Sequence, residues 1–313
     1  MSDAALRAMR DLIQEDVNGR GLATEPDANL INACPDDFAA ACQSVAETPD
    51  AGLSIVTGFY IAHAEPPCGE TDGPLGAVFL ARALAPLGVR VALQTDFFCE
   101  RALQAGLEAC GLDQSVAVLG LPPLNHPWEV WLELDWRKSC VPSAGLTHLI
   151  ALERVGPSYN GPCYSMRGVD ITASMCPAQL VFENAGQPPR VTTIGVGDGG
   201  NEIGMGKVPR DVIARNIPNG GLIACRVPTD YLIVAGVSNW GAYALAAGVA
   251  LLRGAKLDPS LFDEEREREL LRVMVENGPL VDGVTGKPPV SVDGLPFEEY
   301  VKPLRRIKDI LGW

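Results

Sequence analysis

The 313-residue chain is 47% apolar and 20% charged, an ordinary globular composition that excludes a disordered or fibrous protein. Its formal net charge of −14, with no Lys/Arg stripe, argues against a nucleic-acid surface. No apolar run approaches the roughly 20 residues of a membrane span. The N-terminus lacks signal character and the nine cysteines form no CxxC pair, so the expectation is a soluble, cytoplasmic chain with reduced thiols.

In chain order, Ala5–Val17 and Asp36–Thr48 read as helices of an N-terminal cap occupying residues 1–50. Strand-like runs follow at 53–58, 89–95, 116–119, 147–152, 191–197 and 231–237. Helical stretches lie at 75–87, 99–110, 239–254, 259–277 and 297–311. The strands are continuous apolar runs, as in parallel sheets covered on both faces. Their alternation with helices predicts an α/β fold, a Rossmann-like doubly wound sheet, mostly parallel, within one domain whose core is 51–313. The charged run Glu264–Glu269 reads as a solvated helix face. Residues 121–145 and 156–190 are irregular and rich in Pro or Gly, as lids and substrate loops often are.

Residues 191–206 carry the strongest local signal. A β-branched run, Val191–Ile194, leads into a loop with glycines at 195, 197, 199, 200, 204 and 206 and with Asp198, Asn201 and Glu202 among them. Oxygen donors on a tight glycine loop at a strand end suit a hard cation such as Mg²⁺ or Mn²⁺. The same stretch contains a GxGxxG spacing, but Asp198 would repel a pyrophosphate, so no nicotinamide cofactor is expected. Ligands of open α/β sheets sit beyond the carboxyl ends of the strands. Asp96, Glu153 and Asp198 end three of them, and their mutual repulsion calls for a metal or a substrate ammonium. Thr71, Asp72 and Gly73 open a helix whose first N–H groups could take a carboxylate, or Asp72 could simply be its cap. Arg154 and Arg167 flank the loop at 156–163 and could grip a carboxylate, or pair with nearby acids. Asn239 follows the last strand. No GxSxG motif and no thiol with a histidine partner supports nucleophilic catalysis.

Several strings occur in a fixed order: Thr57-Gly58-Phe59, Glu70-Thr71-Asp72-Gly73-Pro74-Leu75-Gly76-Ala77, Glu153-Arg154, Met166-Arg167-Gly168-Val169-Asp170-Ile171, the 195–206 loop and Ser238-Asn239-Trp240-Gly241. Together they resemble the C-terminal domain family of D-glutamate cyclase across nearly the whole chain. The resemblance implies a Rossmann-like domain with an acidic, divalent-metal-binding pocket. It implies a metal-assisted lyase that converts D-glutamate, or a related small acidic amino acid, to 5-oxo-D-proline and water. On that reading Asp198, Asn201, Glu202 and Asp96 hold Mn²⁺ or Mg²⁺, and Glu153, Asp198 and Glu202 are catalytic. Thr71, Asp72, Gly73, Arg154, Arg167 and Asn239 bind the substrate. A metal-dependent phosphohydrolase and a non-catalytic binder of an acidic metabolite or nucleotide are the alternatives. Neither nucleic acid nor membrane is expected as a partner, and self-association is left open.

Overall fold

The computed structural model describes residues 2–133, 145–288 and 290–313. Among them six strands form one parallel sheet. They are β1 (Gly52–Thr57), β4 (Arg90–Thr95), β5 (Ala117–Gly120), β6 (His148–Leu152), β7 (Thr192–Gly197) and β8 (Tyr231–Val234). The spatial order is β5-β4-β1-β6-β7-β8. Counting these strands along the chain gives 3-2-1-4-5-6, the doubly wound order, with its switch point between β1 and β6. The predicted strands thus appear within a few residues of their expected bounds, and the α/β Rossmann-like fold holds.

Except for the edge strand β5, the strands are buried on both faces because their side chains alternate between two apolar layers. Leu53, Ile55, Leu93, Ile150 and Leu152 enter one core, and Val56, Ala92, Leu149 and Ala151 enter the other. The first core packs against the helices Pro74–Leu84, Phe97–Ala109 and Ser238–Leu252. The second packs beneath Gln179–Asn184 and Arg210–Asn216. Helix Ser238–Leu252 is buried almost throughout, and its Gly and Ala positions let neighbouring backbones come close. The run 264–269 is solvated as expected, with one correction. Glu267 turns inward, accepts a hydrogen bond from the Tyr243 hydroxyl (2.6 Å) and pairs with Arg82 (3.0 Å).

Two smaller pieces were not visible in the hydrophobic pattern. β2 (Tyr60–Ile61), β3 (Cys68–Glu70) and β9 (Leu280–Val281) form a three-stranded sheet. β10 (Ser291–Val292) and β11 (Leu295–Pro296) form a hairpin. β3 pairs with β9 so that Glu70 stands opposite Val281, which carries the 282–293 segment to the sheet's carboxyl end. Of the irregular 121–145 stretch, Trp128–Glu133 is a short helix and 134–144 lies outside the described residues. Among the described residues no helix is long and apolar enough to cross a membrane.

The first helix, Ser2–Ile13, ends earlier than expected. The chain then turns through Asn18–Gly21 beside the end of β8, where the Gly236 N–H donates to the Ile13 carbonyl (2.7 Å). A Cβ at Gly236 would collide with the Glu15 carbonyl oxygen, a backbone atom that cannot step aside cheaply. Gly236→Ala is therefore expected to cost about 2–3 kcal/mol, the range for overpacking a rigid contact, with a lower urea midpoint. An unchanged midpoint would show that the N-terminal segment is not anchored there.

Candidate functional site

The loop after β7 is folded around one carboxylate. Glu202 accepts N–H bonds from Asp198 (3.1 Å), Gly199 (2.6 Å) and Gly200 (2.8 Å). Gly200 (φ +92°) and Gly204 (φ +112°) occupy the left-handed region that side chains avoid. A Cβ on Gly195 would stand 2.7 Å from the Gly204 Cα, so the loop can close only on glycine. Asn201 Nδ2 donates to the Tyr164 carbonyl (2.7 Å). Asp198 is left fully buried, with neither carboxylate oxygen accepting a hydrogen bond, and Asn201 Oδ1 is equally unpartnered. Buried polar atoms rarely remain so.

Opposite this loop stands the end of β6. Glu153 sits at φ +45°, a strained value for a non-glycine residue that costs about 1–3 kcal/mol. Its carboxylate accepts the Ser238 hydroxyl hydrogen at 2.5 Å. Asp72 accepts N–H groups from Gly73 (3.0 Å), Ser238 (2.9 Å) and Asn239 (2.8 Å), so it caps helix Ser238–Leu252. Asn239 Oδ1 returns the arrangement, accepting from Gly73 and Gly76 at 2.8 Å each. The two helix starts are thus locked to each other. Thr71 donates its hydroxyl hydrogen to the Ser291 carbonyl (3.0 Å), joining the 282–293 segment to the same corner.

Six buried carboxylates, those of Glu70, Asp72, Glu153, Asp198, Glu202 and Asp293, meet here. Asp72, Asp198 and Asp293 offer oxygens within 4.8 Å of one another, and so do Glu153, Asp198 and Glu202. Arg20, from the N-terminal segment, pairs with Asp198 (2.9 Å) and with Asp293. Burial opposes the charge on Arg20, but Asp198, Asp293 and Glu153 outweigh it and keep it cationic. One arginine cannot balance so many acids. Burial first, and then neighbouring carboxylates, raises Glu70 and Glu153 well above the usual range. Burial also raises Asp198 well above it, against the pull of Arg20. Asp72 is pushed up to about 7 by burial and by Asp293, against the N–H bonds it accepts.

A cavity of about 510 Å³ opens onto the cluster. Arg20, Glu70, Glu153 and Asp293 line its polar part, and Phe59, Tyr60, Ile61, Met166 and Val284 its apolar part. Arg167 lines it too, exposed and donating to the Val284 carbonyl (2.8 Å).

The structure therefore brings Glu153, Asp198, Asn201, Glu202 and Asp72 together and sets Arg167 on the cavity wall. Thr71, Gly73 and Asn239 serve the helix corner behind it. Asp96 and Arg154 are elsewhere: they pair with each other, fully buried, and Asp96 belongs to neither carboxylate set. Arg154 also donates to the carbonyls of Gly58 (3.1 Å) and Cys176 (2.7 Å), and Asp96 accepts the Cys176 N–H (2.5 Å). Both are already used in tying the ends of β1, β4 and β6 to the 176 loop. Arg154→Met should leave Asp96 buried without its partner and cost about 3–5 kcal/mol in urea unfolding. Lost ligand binding at full stability would instead return Arg154 to a substrate role. The pattern reading missed Arg20 and Asp293. The available signals were two turn-forming dipeptides beside them, Asn18-Gly19 and Asp293-Gly294.

Residues 9–308 match the family described as D-glutamate cyclase-like, C-terminal. The chain is 30% identical over 334 aligned positions to the human mitochondrial D-glutamate cyclase, covering 97% of this chain and 52% of that protein. It spans about half the length of the curated relative it matches.

Proposed function

The chain belongs to the D-glutamate cyclase-like family, and from that premise we propose that it is a metal-assisted lyase acting on D-glutamate or a related small acidic amino acid, giving 5-oxo-D-proline and water. The observation that carries this reading is Asp198, buried at the carboxyl end of a doubly wound sheet with both oxygens free of hydrogen bonds. The donors around it are all oxygens, the set a hard cation prefers, and Asn201 Oδ1 adds another unpartnered one. Asp198 would hold Mg²⁺ or Mn²⁺ with Glu153 and Glu202, or with Asp72 and Asp293. When bound, the cation supplies Lewis-acid polarisation of the carboxylate under attack.

The protein's own groups do the rest. Glu153, steadied by the Ser238 hydroxyl, takes a proton from the substrate ammonium. The freed amine forms the N–C bond to the γ-carboxyl carbon. One carboxyl oxygen departs as water, receiving the proton from Glu153 and the second nitrogen proton. Burial and neighbouring acids raise the proton affinity of Glu153 above that of an ordinary carboxylate, which suits a group that must take and return a proton. Arg167, on the cavity wall, offers its fork to a substrate carboxylate. The apolar walls hold the chain folded on itself, so that amine and γ-carboxyl meet as a near-attack pair. The proposal includes residence in the cytoplasm.

Proton NMR with D-glutamate, run with Mg²⁺ and then with EDTA, tests it. Metal-dependent growth of 5-oxoproline signals is expected. No product from protein that binds the cation would remove D-glutamate as substrate. Two carboxylate sets sharing Asp198 also suit a two-metal phosphohydrolase, and turnover of an aryl phosphate with Mn²⁺ would favour that reading.

A further inference from the structure

Arg20 is held where a cation would be expected. Its backbone is fixed by Asp16, whose carboxylate accepts the N–H groups of Arg20 (2.9 Å), Gly21 (2.9 Å) and Leu22 (3.0 Å). Its guanidinium reaches from this turn into the cluster and touches two of the three acids in the set Asp72, Asp198 and Asp293. The two contacts differ in kind. With Asp293 the guanidinium makes a hydrogen bond, and Asn18 Nδ2 secures the same carboxylate at 2.7 Å. With Asp198 it stands at 2.9 Å without a directed hydrogen bond, since neither Asp198 oxygen has one. The Asp198 contact therefore rests on charge alone and is the one that can be given up.

A guanidinium and a divalent cation need the same lone pairs of Asp198, and both cannot hold them. We propose that Arg20 is an exchangeable counter-ion: it balances Asp198 in the metal-free protein and withdraws from it when a divalent cation binds. The inference rests on the metal reading above and adds to it that Arg20 sets the affinity. It accounts for a crowded acidic site that stays folded while awaiting its cation. A competitor that occupies the site most of the time lowers apparent affinity by the fraction of time the site is free. Removing it should raise that affinity.

The test is Mn²⁺ titration of the EDTA-treated protein at one fixed pH, followed by EPR of the free ion, for the wild type, Arg20→Met and Arg20→Lys. Arg20→Met keeps the length of the side chain and removes the charge. It is expected to bind Mn²⁺ about tenfold more tightly or better, and to have a lower Tm than wild type without the ion and a similar Tm when saturated. Arg20→Lys, a point charge that cannot fork between two aspartates, should fall between them, and it decides the matter if Arg20→Met does not fold. Wild type that binds Mn²⁺ with the folded variant unchanged or weaker would overturn the exchange and leave the metal reading standing. Absence of binding in wild type and variants alike would overturn both. Binding gained only by a variant would support the exchange in its strongest form.

Discussion

Replacing Asp198 by asparagine is expected to abolish divalent-cation binding and to lower turnover by at least about a thousandfold, the scale set by losing a principal electrostatic group in a water-poor site. Asp198 is the one acid common to both carboxylate sets, so no rearrangement of the others replaces it. The metal-free variant should nevertheless fold, with a Tm equal to or above that of wild type. Asparagine has nearly the same shape, and it removes a buried carboxylate whose neighbours include Glu153, Asp293 and Asp72. Arg20 loses one partner but keeps Asp293. Such a gain in stability with loss of function marks a residue retained for chemistry at the cost of repulsion. The measurement is Mn²⁺ titration beside thermal unfolding and 5-oxoproline formation. Normal cation affinity in a folded Asp198→Asn protein would remove Asp198 from the centre of the site.

Much of this site was readable because two rules converge on it. Buried parallel strands advertise themselves as apolar runs, and β7 follows its β-branched run and continues through Gly195 and Val196 to Gly197. Once the strands are known, their carboxyl ends point to a candidate site, and Glu153 and Asp198, picked by that rule, lie in one carboxylate cluster. The same rule also picked Asp96, which lies outside both carboxylate sets. It too ends a strand, but its neighbour at the end of β6 is Arg154, and the two neutralise each other. A strand-end rule locates a side chain along the chain but does not say with which partner it is buried. Thr71 and Asp72 were chosen for a helix start and Asn239 for its place after the last strand; Asp72 and Asn239 cap each other's helices, while the Thr71 carbonyl accepts from the Asn239 amide. Arg20 and Asp293 lay beyond such reasoning. They stand 273 residues apart and are brought together by an N-terminal turn and by the 282–293 segment, whose flanking strands of two residues are too short to leave a periodic signal.

The carboxylate cluster also predicts how stability and cation affinity respond to pH, in opposite directions. Glu70, Asp72, Glu153 and Asp198 all hold their protons more tightly in the folded protein than in the unfolded chain. The folded state therefore binds more protons, and metal-free stability must fall as pH rises from about 4, where the unfolded acids titrate, through the value of about 7 for Asp72. His148 works the other way. It is buried between Ser44 and Thr147, and burial lowers it to about 4, so its contribution grows from there until the unfolded histidine has titrated near about 6.5. The two effects oppose each other below that point. Above it His148 is neutral in both states and only the carboxylates act. Each one still protonated in the folded state then costs about 1.4 kcal/mol per pH unit. Urea unfolding of EDTA-treated protein at pH 6.5 and 8 should show a loss of about 1 kcal/mol, the part that Asp72 supplies. Cation binding must expel those same protons, so Mn²⁺ affinity should rise up to about tenfold per pH unit for each proton released, and saturating cation should flatten the fall in stability. Arg20 stays charged throughout and does not contribute to the slope. Metal-free stability that is level between pH 6.5 and 8, with Mn²⁺ affinity equally level, would mean that these carboxylates are already ionised and that the cluster is balanced by something other than protons.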